Sequence, residues 1–187
     1  MVAKAVAGQY EDALGGLGQL SHHIETYLKN VEQHEELKAL AVWLSTKKDI
    51  FLLAKGANFQ IIREGMVKLI EGSYIHAHAL PAGDLKHYAI TLIEDGTPVI
   101  VVTSTDQTRP DVLTAAYEVQ ARGANVVHIG PDRGGEGFAR SIVTPDVGEL
   151  NAIINVIPLQ LLAYELAVLL GHDVDHPRNI AKSVTVK

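Results

Sequence analysis

In REGMVKLIEGSY, residues 63–74, Glu64, Lys68 and Glu71 stand four and three residues apart. On a helix that spacing puts all three on one face. Two chemistries fit. Such triplets commonly form ion-pair ladders facing solvent; alternatively, a carboxylate beside a cation and partly buried can shuttle a proton between adjacent sugar carbons. Glu71, next to the apolar segment YIHAHAL, is better placed for the second role than Glu64. His76 and His78 alternate within that segment and so share one face of a strand. Two histidines without a third ligand make a weak metal site, and a polar or interface pair is the plainer reading. His87, in PAGDLKH, is either an exposed loop histidine or a general acid or base.

Thr103, Thr105 and Thr108 lie in TSTDQT, between an apolar strand and a helix. There, hydroxyls and backbone N–H groups can cradle a phosphate. Asp106 opposes an anion, however, and capping of the next helix is the alternative. No Walker or dinucleotide glycine pattern is present. The ending DHPRNIAKSVTVK, residues 175–187, has the composition of a solvated terminus, and Lys182 within it that of a solvated charge. A Schiff-base lysine needs burial or neighbouring cations to lose its proton, and spacing supplies no sign of either.

These residues must be positioned by regular elements. The first 48 residues carry helical periodicity, as LSHHIETYLKNVEQ and HEELKALAVWLSTKK. Short apolar runs at 49–56, 74–80, 97–104, 124–130 and 141–145 then alternate with helical segments. That alternation predicts an α/β, doubly wound, five-stranded parallel sheet with helices on both faces. Ligands in such sheets bind beyond the carboxyl ends of the strands, which points to KGAN at 55–58 and TSTDQT at 103–108. GPDRGGEG, residues 130–137, is expected to link the fourth and fifth strands.

A chain of 187 residues without cysteine can bury its own core and lacks disulfides and thiol nucleophiles. A net charge of −6, with no basic patch and few aromatics, argues against nucleic acid as a partner. The most apolar run, residues 150–171, contains Asn155, Pro158, Gln160 and Glu165 and reads as a buried helix, not a membrane span. The first residues lack an apolar stretch of signal-peptide length, so the cytoplasm is the expected compartment.

Taken together and in order, REGMVKLIEGSYIHAHAL, PAGDLKH, ARGANV, PLQLLAYELAVLLG and VDHPRNIAKSVTVK resemble the glutamine:fructose-6-phosphate aminotransferase (isomerizing) family, the glucosamine-6-phosphate synthases. The likeness runs from about residue 20 to the end and covers that family's second sugar isomerase (SIS) domain and its tail. It implies a flavodoxin-like SIS fold at 49–171, a helical lead-in at 1–48 that could end a first SIS domain, and an active-site tail at 172–187. It further implies that Glu71 moves the proton between C1 and C2, supported by Lys68 and by Glu64 one turn earlier. His87 would assist ring opening across a homodimer interface. Lys182 would form an imine with fructose 6-phosphate, while Glu64, Ala181, Thr103, Thr105 and Thr108 would contact the sugar phosphate.

No metal and no cofactor is implied. The family's glutaminase domain, with its cysteine nucleophile, and its first SIS domain, with its phosphate loop, are expected to lie outside this chain, which by itself should be a poor catalyst. His78 stands where the family usually has glutamate, and Tyr88 follows Lys86 and His87 where glycine is common. The rival readings are a non-catalytic sugar-phosphate-binding or regulatory SIS module and a stand-alone phosphosugar isomerase.

Overall fold

The computed structural model describes residues 8 and 10–180. Two helices, α1 (Tyr10–Leu28) and α2 (Val31–Leu44), precede β1 (Asp49–Ala54), α3 (Ala57–Ser73) and β2 (His76–Pro81). Two 3-10 turns, Ala82–His87 and Ala89–Leu92, lead to β3 (Pro98–Val102), α4 (Arg109–Gln120), β4 (Asn125–Gly130) and β5 (Arg140–Val143). A last 3-10 turn, Gly148–Leu150, opens α5 (Asn151–Leu169). All strand pairs are parallel, in the order β2-β1-β3-β4-β5. This is the doubly wound α/β fold the alternation predicted, and residues 130–137 do lie between the fourth and fifth strands.

The strands read as unbroken apolar runs because both faces of the sheet are covered. Alternate residues serve two cores. Ile50, Leu52 and Ala54 of β1, with Ile100 and Val102 of β3, pack under α2, α3 and α5. Phe51 and Leu53, with Val99 and Val101, pack against α4 and the 3-10 turns that follow β2. The run at 150–171 is long and apolar enough to cross a membrane, yet Ile154, Leu159, Leu162 and Leu166 are wholly buried in the first core. It is a core helix, as its interspersed polar residues suggested.

The amino-terminal helices divide elsewhere than periodicity placed the break. The chain turns at Lys29 and Asn30, and Asn30 caps α2 by accepting the N–H of Gln33 at 3.3 Å. A side-chain acceptor at that point satisfies one of the free amides of the new helix, which outweighs the apolar repeat running across it.

Helix α3 lies against α5 at unusually short range. A methyl group on Gly65 would come within 2.7 Å of Leu159 Cδ1, and one on Gly72 within 3.2 Å of the Ala163 carbonyl oxygen. Two glycines seven residues apart thus give α3 a smooth stripe for α5 and leave the flanking positions 64, 68 and 71 along the rim of the contact.

Candidate active site

Glu64, Lys68 and Glu71 meet as their spacing required. The Lys68 ammonium donates to Glu71 Oε2 at 2.8 Å and lies 3.8 Å from Glu64 Oε1. Its pKa is raised, chiefly by the hydrogen bond to Glu71, so it remains a cation at neutral pH. All three side chains are half-buried. Lys68 and Glu71 border a groove of about 260 Å³ between α3 and α5, whose floor includes Ala163, Tyr164 and Ala167. Val174 and Pro177, from the segment after α5, close its far side.

That segment folds back onto the end of α3. The His172 ring stacks on Tyr74 with centroids 4.3 Å apart, and its Nδ1 lies 2.8 Å from the Gly72 carbonyl oxygen. Arg178 donates its backbone N–H to the Tyr74 hydroxyl at 3.0 Å and lays its guanidinium 4.0 Å from the centroid of the same ring. Lys182 and Ala181 lie outside the described residues.

The other expected site residues stand apart from this groove. His87 is exposed at the end of the 3-10 turn Ala82–His87, whose Ala82 and Leu85 pack on the opposite face of the sheet from α3. Thr103, Thr105 and Thr108 lie at the carboxyl ends of the strands, where α3 begins. Glu71 lies at the other end of that helix, thirteen residues beyond Asn58, or about 20 Å at 1.5 Å per residue.

At the carboxyl ends of β1 and β3 the polar side chains bond largely to one another. Thr103 is buried and shares a hydrogen bond of 2.8 Å with His128 Nε2. Thr105 donates to Asp146 at 3.1 Å, and Thr108 to Asp106 at 2.6 Å. Asn155, wholly buried, donates to the Thr103 carbonyl and to Asn58 and accepts from Thr144, while Asn58 donates to Ser104. Asp146 has its pKa lowered by the Gly148 N–H, then by Asn151 and Thr105, and so carries a fixed negative charge at the mouth. His128 is fully buried, and that burial pushes its pKa down to about 4. Nearby Asp132 accepts from Arg109 at 2.6 Å and from the Gly134 N–H at 2.7 Å.

The spacing arguments overlooked this network. Its available signal was the pair Asn151 and Asn155, four apart in an apolar helix and therefore on one face. They also overlooked Tyr74 as the seat of the tail. His76 pairs with Asp49 at 2.7 Å, and His78 lies between the rings of Phe51 and Tyr88. Among the described residues no three His, Asp or Glu side chains cluster as metal ligands. A larger groove, about 400 Å³, runs along the amino ends of β1 to β3. Its charged groups are partly engaged already, His76 with Asp49 and Lys47 with the Gly96 carbonyl.

Comparison with known proteins agrees with this architecture. The glutamine–fructose-6-phosphate aminotransferase (isomerizing) of Pyrococcus horikoshii is 40% identical over 177 residues, 92% of this chain and 29% of the relative. That of Thermococcus kodakarensis is 40% identical over 192 residues, covering all of this chain and 31% of the relative. The chain thus spans less than a third of the length of these relatives. Among solved structures, the C-terminal domain of glucosamine-fructose-6-phosphate aminotransferase from Francisella tularensis superposes with a TM-score of 0.83 at 29% identity, covering 91% of this chain and 48% of that one. Glucosamine-6-phosphate deaminase from Thermotoga maritima, at a TM-score of 0.68 and 21% identity over 98% of this chain and 52% of its own, shares the fold. The SIS domain model matches residues 43–170, and the chain belongs to the SIS domain family.

Proposed function

We propose that this chain is the carboxyl-terminal isomerase part of a glucosamine-6-phosphate synthase, acting on fructose 6-phosphate. The observation that carries the reading is the half-buried Lys68–Glu71 pair on a groove that the returning segment 172–180 helps to wall. A carboxylate held by an ammonium beside an apolar floor suits proton transfer between adjacent carbons, and the relatives' names supply the substrate class. Glu71 takes the proton from one of C1 and C2 and returns it to the other. Lys68 holds the carboxylate in place and offsets negative charge developing on the C1 oxygen as that proton moves. Glu64 keeps Lys68 oriented from the preceding turn.

In this reading residues 49–171 form the sugar isomerase domain, 1–48 its lead-in and 172–187 the active-site tail. Lys182 forms the imine at C2, with Ala181 beside it. Lys182 lies four residues past Arg178, so its main chain can reach about 13 Å from that anchor, and Tyr74, which holds Arg178, follows Glu71 by about one turn. His87, on a turn packed across the sheet from that groove, serves ring opening in a second copy of a homodimer. The phosphate is held largely by a first SIS domain outside this chain, because the hydroxyls of Thr105 and Thr108 are committed to Asp146 and Asp106. Thr103, Thr105 and Thr108 contact sugar phosphate only if those bonds are exchanged. Ammonia comes from a glutaminase domain, also outside this chain, and the protein works in the cytoplasm.

The test is reductive trapping. With fructose 6-phosphate and borohydride, the chain gains one sugar phosphate at Lys182, and a Lys182→Ala variant gains none. Equal labelling of the two proteins overturns the reading.

A further inference from the structure

A tyrosine is an unexpected residue just past a helix. The position after a helix end favours glycine in the left-handed conformation, yet Tyr74 holds it with φ of 59° and ψ of 15°. Of the described non-glycine residues only Asn179 shares a positive φ, and asparagine tolerates that region whereas a bulky aromatic does not. Strain of this kind persists where the surroundings over-determine it, and it marks sites of function.

The surroundings of Tyr74 are the returning tail. His172 stacks on one part of the ring, the Arg178 guanidinium lies over it, and the hydroxyl accepts the Arg178 N–H. His172 is held in turn by the Gly72 carbonyl. Two residues of the tail, six apart, therefore converge on one side chain at the end of α3, and Val174 and Pro177 between them reach the Lys68–Glu71 groove.

We propose that Tyr74 is a positioning residue that clasps residues 172–178 against α3 and thereby holds Val174 and Pro177 as a wall of the Lys68–Glu71 groove. The proposal deepens the reading of that groove as the active site. The left-handed backbone is what aims the ring at the tail, and the strain is retained for that aim.

The test separates clasping from general stability. Tyr74→Gly removes the ring and relieves the backbone strain; Tyr74→Phe removes only the acceptor hydroxyl. Under native conditions trypsin should cut after Arg178 at least fivefold faster in Tyr74→Gly than in the unaltered chain, with the thermal midpoint unchanged or higher. Tyr74→Phe, which keeps the stack, should show a smaller acceleration. An unchanged rate after Arg178 in Tyr74→Gly overturns the clasp. So does a lowered midpoint with cleavage after Arg63 and Arg178 rising in parallel. If Tyr74→Gly does not fold, Tyr74→Asn, which tolerates the same backbone, decides by the same two readings. The Lys182 reading fails independently, through borohydride labelling that Lys182→Ala does not change while the protease result stands.

Discussion

Helix α3 joins two polar regions that differ in one respect. At its first turn Asn58 enters a closed network in which Thr103, Ser104, Thr144 and Asn155 satisfy one another. At its last turns Lys68 and Glu71 bond to each other, remain half-exposed, and face an open groove. The first region occupies the place where doubly wound sheets bind ligands, yet its hydroxyls and amides are spent on the fold. The second lies where the sheet rule does not point, and it keeps a charged pair available. Location in a fold is therefore a weaker guide than whether its polar groups are buried in a closed network or remain open to a groove.

The contrast can be broken from either side. The largest effect is expected for Asn155→Leu, which strands the buried acceptors of Asn58 and Thr103 and removes the partner of Thr144. Loss of about 3 kcal/mol or more of unfolding free energy should follow, read from urea titration. A variant of wild-type stability would show that the network is not holding the carboxyl ends together.

Next comes pH. His128 is buried neutral, facing Thr103, Asp132, Arg109 and the Phe138 ring. Its pKa is near 4 in the folded chain and about 6.5 in the unfolded chain. Between those values only the unfolded state binds the proton, so stability falls as pH drops from about 6.5 to 4 and levels below that. The fall contributed by this one group is up to about 3 kcal/mol. A urea midpoint followed from pH 7 to 4 should show it, and His128→Gln should flatten the profile.

The smallest stability effect belongs to the open region. Glu71→Gln should change unfolding free energy by less than about 1 kcal/mol, because the pair is partly solvated. In the assembled enzyme proposed above the same change should slow exchange of a C1 hydrogen of fructose 6-phosphate with solvent by roughly 10²–10⁴-fold, measured by NMR in heavy water. A large loss of stability with intact exchange would reverse the assignment of the two regions.

The fold was legible because its strands are short and doubly apolar and its helices begin at recognisable turns. The triad of α3 was legible because helical spacing alone brings Glu64, Lys68 and Glu71 together. The carboxyl-end network was not, since it joins residues as far apart as Asn58 and Asn155, whose approach depends on the packing of α3 against α5. Spacing also could not tell that Thr105 would meet Asp146, forty-one residues on. The tail read as solvent-exposed for a similar reason: composition shows that Arg178 is polar, but not that a tyrosine 104 residues earlier is turned to receive it.

The glycine contact between α3 and α5 has a mechanical consequence. With Gly65 almost touching Leu159, neither helix has room to roll on the other. Side-chain tips lie 5–6 Å from a helix axis, so a roll of about 10° would swing the Glu71 carboxylate by about 1 Å. A displacement of that size is enough to cost a proton transfer most of its rate. The aim of the Glu71 carboxylate is thereby governed from beneath, by a residue with no side chain and by the leucine packed against it.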